Sequence, residues 1–114
     1  MKNYFVYIMS NHRNGVLYVG FTDDITRRTL EHKNKKYDGF TKKFRIDRLV
    51  YFEEYLTIDQ AMKREQQLKK WSRQWKIVLI EIQNPKWEDL FGKLPEHLTS
   101  IEVLDSLFRG NEKI

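Results

Sequence analysis

Two tyrosines in neighbouring strand-like segments are the first candidates for chemistry. Tyr7 and Tyr18 each lie among aromatic and β-branched residues, and the turn-rich residues 10–15 separate the two segments. In a β-hairpin that is symmetric about this loop, Tyr7 faces Tyr18, with roughly 5 Å between the two Cβ atoms. Two phenol hydroxyls would then share one face of a sheet. Because cross-strand aromatic pairs are common packing, packing is the better explanation of the pair taken alone.

A predicted helix after these strands carries an arginine and a histidine on one face. Residues 22–24 offer N-cap oxygens, and the apolar spacing predicts a helix over about residues 25–33. Arg28 and His32 are one turn apart, so both side chains can converge on the same anion. A lone histidine on a helix is more often structural, and the pair is by itself a weak indication of function.

Glu65 is the most informative single residue, because it lies on the apolar stripe of another predicted helix. The capping pair Thr57 and Gln60 begins this helix, which runs to about residue 70. A carboxylate on a stripe that faces the core costs desolvation energy unless it is paired or holds a metal ion. The structural alternative is a buried ion pair with Arg28 or Lys69. The functional alternative is a ligand to Mg²⁺, which one carboxylate, water and a substrate phosphate usually hold.

Positive charge is concentrated in residues 27–48, which carry nine basic and three acidic side chains. The local sum of +6 exceeds the net charge of +5 for the whole chain. A basic segment of this kind is expected of a protein that binds phosphate backbones, although many charge runs are only solvated loops. Four lysines of this segment are predicted to bind a nucleic-acid substrate: Lys35, Lys36, Lys42 and Lys43.

The elements that must position these residues form an α/β fold of the α+β type. A third strand is predicted over residues 49–55, a helix over residues 73–82, and one more helical turn over residues 87–91. The order β-β-α-β-α-α predicts a small three-stranded antiparallel sheet that is flanked by helices.

The 114 residues suit a single globular domain. We assign residues 1–91 to that domain and residues 92–114 to a helical tail, in which apolar residues recur with helical spacing. The tail is expected to pack on the domain, and binding of a protein partner is the alternative.

Composition excludes several classes of protein. The chain has no cysteine, which excludes disulfides and cysteine-ligated metal centres. Its apolar runs are too short to span a bilayer, and the N-terminus lacks the pattern of a cleavable signal. We therefore expect a cytoplasmic protein.

The ordered combination of motifs resembles the GIY-YIG nucleases. Phe5-Val6-Tyr7 and Tyr18-Val19-Gly20 are similar to the paired signature of that superfamily. Arg28 follows ten residues after the second tyrosine, His32 follows four residues later, and Glu65 matches the single metal-binding glutamate of the family. The resemblance spans about residues 2–91 and is strongest to short stand-alone bacterial members, which are similar to the N-terminal domain of the excinuclease C subunit.

This resemblance implies a catalytic set of five residues and one metal ion. Glu65 would hold Mg²⁺ or Mn²⁺, and Arg28 would bind the scissile phosphate in fork geometry. Tyr7 would take a proton from water, assisted by His32 or Tyr18, and Tyr18 is the other candidate base. A tyrosine of ordinary pKa is only about 0.1% ionised at pH 7, but nearby positive charge favours the phenolate.

The resemblance also indicates two further substrate-binding positions and shows two departures. Gly20 would let the backbone approach the substrate or the next helix, and Asn84 is a weak match to an asparagine that some members use. Phe5 replaces the first glycine of the signature, a loosely kept position. Phe21 stands where the excinuclease domain has a lysine, so a mechanism that relies on that lysine does not transfer.

Together these features predict a metal-dependent endonuclease that hydrolyses nucleic-acid phosphodiester bonds. DNA is the expected substrate, in repair or recombination, and RNA stays open. One alternative is a non-catalytic nucleic-acid-binding module of the same shape. Another is a protein-interaction adaptor that uses residues 92–114.

Overall fold

A computed structural model describes residues 3–34 and 43–94. Its centre is one antiparallel sheet of three strands: β1 (Tyr4–Ser10), β2 (Leu17–Thr22) and β3 (Arg48–Tyr55). The strand order is β2-β1-β3, so β1 is the central strand, and β2 and β3 are the edges. The predicted fold class and the element order β-β-α-β-α-α are confirmed.

Three helices flank the sheet: α1 (Ile25–Lys33), α2 (Ile58–Lys70) and α3 (Arg73–Gln83). Each begins after a side-chain oxygen that accepts a hydrogen bond from the backbone N–H three residues on, which satisfies a group that the helix itself leaves unpaired. These N-cap residues are Asp24, Thr57 and Ser72. Within the described residues, no helix is long and apolar enough to cross a membrane.

The register of the β1–β2 hairpin differs by two residues from the symmetric prediction. Tyr7 is paired with Gly20, and Tyr18 is paired with Met9. The Asn11 side chain explains the shift, because its Oδ1 accepts a hydrogen bond from the backbone N–H of Val16 and holds that residue in the loop. Since a shift of two residues preserves the facing of every side chain, the two tyrosines still share one face of the sheet.

A β-bulge in the pairing of β1 with β3 changes which side chains of β3 face each side. The register changes between Ile8 and Met9, where Val50 is the extra residue. Val50 and Tyr51 consequently both belong to the hydrophobic cluster on one face, although consecutive strand residues normally alternate. Leu49 joins the cluster on the opposite face.

The two faces of the sheet therefore have separate hydrophobic clusters. The first lies under α2 and α3, and its fully buried members include Ala61, Leu68 and Ile80. The second lies under α1 and contains Ile25, together with the Tyr7 side chain. Because every strand contributes to both clusters, the sheet fixes α1 on one side and α2 on the other.

Side chains from the C-terminal part of the chain satisfy the outer edge of β3. The amide of Gln83 accepts a hydrogen bond from the N–H of Phe52 and donates one to the carbonyl of Phe52, at 3.2 and 2.9 Å. An Oδ1 atom of Asp89 accepts from the N–H of Leu49 at 3.2 Å. On β3 these side chains make hydrogen bonds of the kind that a further strand would make.

Asn84, which was predicted to bind substrate, belongs to the same arrangement. The residue is only 4% exposed. The amide donates to the carbonyls of Val50 and Glu88, and its oxygen accepts from the Glu88 N–H. These bonds hold the turn after α3, and the role of Asn84 in substrate binding stays a prediction.

The chain then crosses the edge of β3. Trp87 has a φ of 56° and is fully buried in the first cluster, whereas Leu90 and Leu94 pack against the second cluster. The predicted helical turn over residues 87–91 is replaced by a 3-10 helix at Leu90–Lys93, which begins after Asp89. The predicted boundary after residue 91 lies inside this 3-10 helix, and residues 95–114 of the predicted tail lie outside the described residues.

Candidate active site

A cleft of about 400 Å³ lies at the free edge of β2, between α1 and α2. Five of the residues predicted for the site line it: Tyr7, Tyr18, Gly20, Arg28 and Glu65. They come from four different elements, so the cleft exists only when the sheet and both helices have packed together.

The cleft bends around the edge of the sheet. Tyr18 and Gly20 face the α1 side, whereas Phe21 faces the α2 side, since successive residues of a strand point to opposite faces. All three line the cleft because β2 has no strand on its outer side in the described structure. The site therefore combines groups from both faces, which explains how Arg28 of α1 and Glu65 of α2 reach one cavity.

Gly20 makes room for the catalytic candidate Tyr7. A Cβ atom at Gly20 would lie 2.6 Å from the Tyr7 hydroxyl oxygen and 2.7 Å from the ring carbon that bears it. The Tyr7 ring therefore runs across Gly20, with its hydroxyl end toward the cleft, although the side chain as a whole is only 1% exposed. The close approach predicted at Gly20 is thus made by Tyr7 itself and not by the next helix.

His32 lies behind the two tyrosines, in the interior. It is 4% exposed, and its ring meets those of Tyr7 and Tyr18 edge-on, at centroid distances of 5.9 and 5.3 Å. Its Nε2 atom is 3.2 Å from the Tyr7 hydroxyl oxygen, a buried hydrogen bond. The prediction that His32 and Arg28 converge on one anion is wrong in this geometry, because burial behind the rings leaves His32 in contact with Tyr7.

His32 is a neutral imidazole at physiological pH. Burial lowers its pKa from 6.5 to about 4, and the positive charge of Arg28 adds to this effect, while Glu31 opposes it. A neutral imidazole has one nitrogen with a free electron pair, so His32 can accept the hydrogen bond of the Tyr7 hydroxyl when its own proton is on Nδ1.

Charged groups of both signs line the cleft. Arg28 is about one third exposed, and the carboxylates of Asp23 and Glu65 line the cleft with it. Each carboxylate has a basic neighbour, since Arg27 Nη2 lies 3.9 Å from Oδ1 of Asp23 and Lys69 Nζ lies 3.5 Å from Oε1 of Glu65. The lining therefore offers a guanidinium to a phosphate and carboxylates to a cation.

Glu65 is largely buried although it carries a charge. Its side chain is 16% exposed, and Lys69 Nζ lies 3.5 Å from its Oε1. The predicted ion pair with Lys69 is therefore present. The buried stripe of α2 runs through Ala61 and Leu68, which are fully buried, whereas Ile58 is 45% exposed.

The carboxylate of Glu65 fits a hard divalent cation, because oxygen ligands suit Mg²⁺ and Mn²⁺. In the two described ranges, no group of three or more His, Cys, Asp or Glu side chains could hold a metal ion. An ion at Glu65 would thus take most of its ligands from water and substrate, as Mg²⁺ commonly does.

A buried network holds the part of α2 that carries Glu65. The guanidinium of Arg64 donates two hydrogen bonds to Glu53 of β3, at 2.9 and 3.0 Å, and lies over the ring of Trp71. Tyr51 and Tyr55 also donate to Glu53. Burial opposes ionisation of Glu53, but these donors together hold its pKa below the usual value, and burial beside this carboxylate raises the pKa of Tyr55 to about 12.

Five residues of the cleft lining were not predicted as site residues: Tyr4, Phe21, Thr22, Asp23 and Ile58. Because successive residues of β2 point to opposite faces, Phe21 points away from Tyr18. A prediction made only from the face that carries Tyr18 therefore does not include Phe21. Among the four lysines predicted to bind substrate, Lys35, Lys36 and Lys42 lie outside the described residues. Lys43 is exposed, with its Nζ 5.6 Å from the centre of the Phe44 ring.

The geometry agrees with comparisons to known proteins. A profile of the GIY-YIG catalytic domain matches residues 3–78. The chain belongs to the GIY-YIG family. This is a family of nucleases, and its matched region contains the whole sheet, α1, α2 and every residue of the cleft.

Several bacterial relatives of this GIY-YIG chain are short stand-alone proteins. A UPF0213 protein of Staphylococcus epidermidis is 40% identical over 81 residues, which are 71% of this chain and 98% of the relative. A UPF0213 protein of Staphylococcus saprophyticus is 39% identical over 80 residues, 70% of this chain and 96% of the relative. The solution NMR structure of a UPF0213 protein from Bacillus halodurans has a TM-score of 0.49 and 30% identity, and the match covers 76% of this chain and 92% of that one.

We predict that Gly20→Ala destabilises the fold by about 1–3 kcal/mol, the usual cost of overpacking. The added methyl group would overlap the Tyr7 ring, and neither the central strand nor the buried ring has room to move. Gly92→Ala is the matched control, since a Cβ atom there meets nothing within 4 Å. Urea unfolding measures both variants, and equal stability of the two would contradict this account of Gly20.

We also predict that His32 makes stability depend on pH. Because its folded pKa of about 4 lies below the unfolded value of 6.5, the unfolded chain binds the proton first as the pH falls through this window. The free energy of unfolding should therefore decrease by up to about 3 kcal/mol between neutral pH and pH 4. His32→Gln removes the titrating group and should show a smaller decrease in urea titrations. The same decrease in both proteins would show that His32 is protonated equally in the two states.

Proposed function

We propose that this protein is a metal-dependent endonuclease that hydrolyses phosphodiester bonds of nucleic acid. The observation that carries the proposal is the buried hydrogen bond between the Tyr7 hydroxyl and His32, at a cleft that Arg28 and Glu65 also line. A proton acceptor, a cation for the phosphate and a carboxylate for a metal ion are the groups that this hydrolysis requires.

Tyr7 is the general base of the proposed mechanism. Its hydroxyl oxygen reaches the cleft, while its own proton is directed to Nε2 of His32. As a water molecule attacks phosphorus, its proton passes to the Tyr7 oxygen, and the Tyr7 proton moves to His32. This relay avoids an isolated phenolate, which a tyrosine of ordinary pKa rarely forms at neutral pH. Tyr18 packs against both rings and keeps them in place.

Substrate binding strengthens this base. Arg28 contributes to the low pKa of His32, so His32 is a poor proton acceptor in the free protein. A phosphate that binds the Arg28 guanidinium offsets that positive charge and raises the pKa of His32. The proton relay is therefore enabled when a substrate is present.

Arg28 and Glu65 act on the phosphate from opposite walls of the cleft. The fork of Arg28 binds two phosphate oxygens and orients phosphorus toward Tyr7. Glu65 holds the divalent cation, and that ion, when bound, supplies positive charge for the phosphate oxygens and the leaving group. The two carboxylates in the lining support this assignment, since a cation held there would offset their repulsion of the phosphate.

The basic segment over residues 27–48 would give affinity for the strand without regard to sequence. We propose DNA as the substrate, in repair or recombination. A protein partner of residues 92–114 stays a prediction. The competing function is a module that binds nucleic acid and does not cleave it. Such a module would use the same positive charge to bind the strand, so the next two experiments, which measure cleavage, distinguish it from a nuclease.

Glu65→Gln should abolish cleavage and leave binding of nucleic acid nearly unchanged, because the amide is a weaker metal ligand of the same size. A panel of labelled DNA and RNA structures, incubated over a titration of Mg²⁺ and of Mn²⁺, measures cleavage, and fluorescence anisotropy measures binding. Glu54→Gln is the control, as Glu54 is an exposed residue of β3 outside the cleft. Cleavage by Glu65→Gln at the rate of the wild-type protein would exclude Glu65 as the metal ligand, and absence of cleavage by the wild-type protein itself favours the binding module.

Tyr7→Phe should lower the cleavage rate by about 10²–10⁴-fold, the usual contribution of a general base. The ring remains and only one hydrogen bond is lost, so stability should fall by about 1 kcal/mol. Ser10→Ala also removes one hydroxyl hydrogen bond, but outside the cleft, and should cleave normally. Tyr18→Phe tests the other candidate base. If Tyr7→Phe cleaves like Ser10→Ala, then Tyr7 does not act as the base.

A further inference from the structure

The cleft lining has an apolar part that the proposed chemistry does not use. Tyr4 and Phe21 belong to the α2 face of the sheet, and Ile58 begins α2, so these three side chains line the cleft on the side of that helix. Phe21 and Tyr4 are partly exposed, and Ile58 is 45% exposed although it is a large aliphatic side chain. A ligand that joins an apolar group to an anionic one would match both these side chains and Arg28.

We propose that Tyr4, Phe21 and Ile58 form a subsite for a single unstacked nucleobase next to the phosphodiester that is cleaved. The inference rests on the proposed function for the position of the phosphate at Arg28. A nucleotide joins an anionic phosphate to a flat, largely apolar ring. Its phosphate matches Arg28, and its ring matches the apolar side chains. Other strand components lack one of the two properties, since the sugar has no flat face and the phosphate has no apolar surface.

Size and shape support one base and not a base pair. The cleft has a volume of about 400 Å³ and lies around the edge of one strand, so it admits the side of a single nucleotide. Bases in a duplex are stacked and paired, and their faces are not available to a protein side chain. Aromatic and aliphatic side chains bind the faces of unstacked bases without regard to their identity, because every base has such a face.

The subsite predicts a substrate preference. The strand must present an unpaired base beside the cleaved bond, as single strands, flaps and extrahelical nucleotides do. A fully paired duplex would first have to unstack a base. The free-energy cost of unstacking should make cleavage of a duplex slower than cleavage of the same strand without its complement. The preference does not depend on base sequence.

The experiment compares two small ligands that differ only in the base. Thymidine 3′,5′-bisphosphate contains it, and the 3′,5′-bisphosphate of the tetrahydrofuran abasic analogue does not. Isothermal titration calorimetry in Mg²⁺ gives both dissociation constants for the full chain. We expect the nucleotide to bind about 5- to 150-fold tighter, which corresponds to the stacking of one base on an aromatic side chain. The methyl NMR signals of Ile58 should shift with the nucleotide and not with the abasic ligand.

Two variants and a matched control locate the preference. Phe21→Leu keeps an apolar side chain but removes the flat ring, and should reduce the preference by about fivefold. Ile58→Ser should also reduce it, and folding is preserved because Ile58 is half-exposed. Ile82→Ser is the control, an exposed isoleucine on α3 outside the cleft, and should leave the preference unchanged.

Equal affinity of the wild-type protein for the two ligands would overturn the subsite, as would a preference that Phe21→Leu and Ile58→Ser both leave intact. These outcomes are distinct from failure of the proposed function, because neither ligand contains a phosphodiester to cleave. A protein that shows the preference but cleaves no strand keeps the subsite and loses the nuclease assignment. A protein that cleaves strands but binds both ligands equally keeps the nuclease assignment and loses the subsite.

Discussion

The packing of the Tyr7 ring across Gly20 is the contact on which the rest of the site depends. Tyr7 lies on the central strand, in the interior, and a side chain there normally has no access to a surface cleft. The missing side chain at Gly20 opens a path across β2 for the phenol ring, so its hydroxyl arrives at the edge of the sheet. His32 then closes the inner side of the ring. The result is a buried phenol that nevertheless lines the cleft, the arrangement that the proposed proton relay needs.

The opposite wall of the cleft is fixed in another way. The bidentate contact of Arg64 with Glu53 joins α2 to β3, and the tyrosine hydroxyls on Glu53 complete the set of acceptor contacts. Glu65 is the next residue along the helix, so this junction also positions Glu65. Its partner Lys69 is more than half exposed and carries a long flexible side chain, so this ion pair contributes little to stability, and its loss to the proposed metal ion would cost little.

Local sequence signals were sufficient for most of the fold. The N-cap residues gave the starts of all three α-helices, and alternation gave the shared face of Tyr7 and Tyr18. The hairpin register could not be predicted, because it depends on a side-chain contact of Asn11 inside the loop. The burial of His32 and the place of Phe21 in the cleft depend on how helices pack over a sheet edge, and helical or strand periodicity carries no information on that. The burial of Asn84 could not be predicted either, because a short motif match does not show whether a side chain is buried.

The side chains along the outer edge of β3 have a consequence for the behaviour of the protein in solution. An open strand edge offers unpaired N–H and carbonyl groups to the edges of other molecules, and this is a common route to aggregation. Gln83 and Asp89 occupy such groups of Phe52 and Leu49 on β3. Association of a neighbouring chain with this edge would therefore first have to break these side-chain contacts.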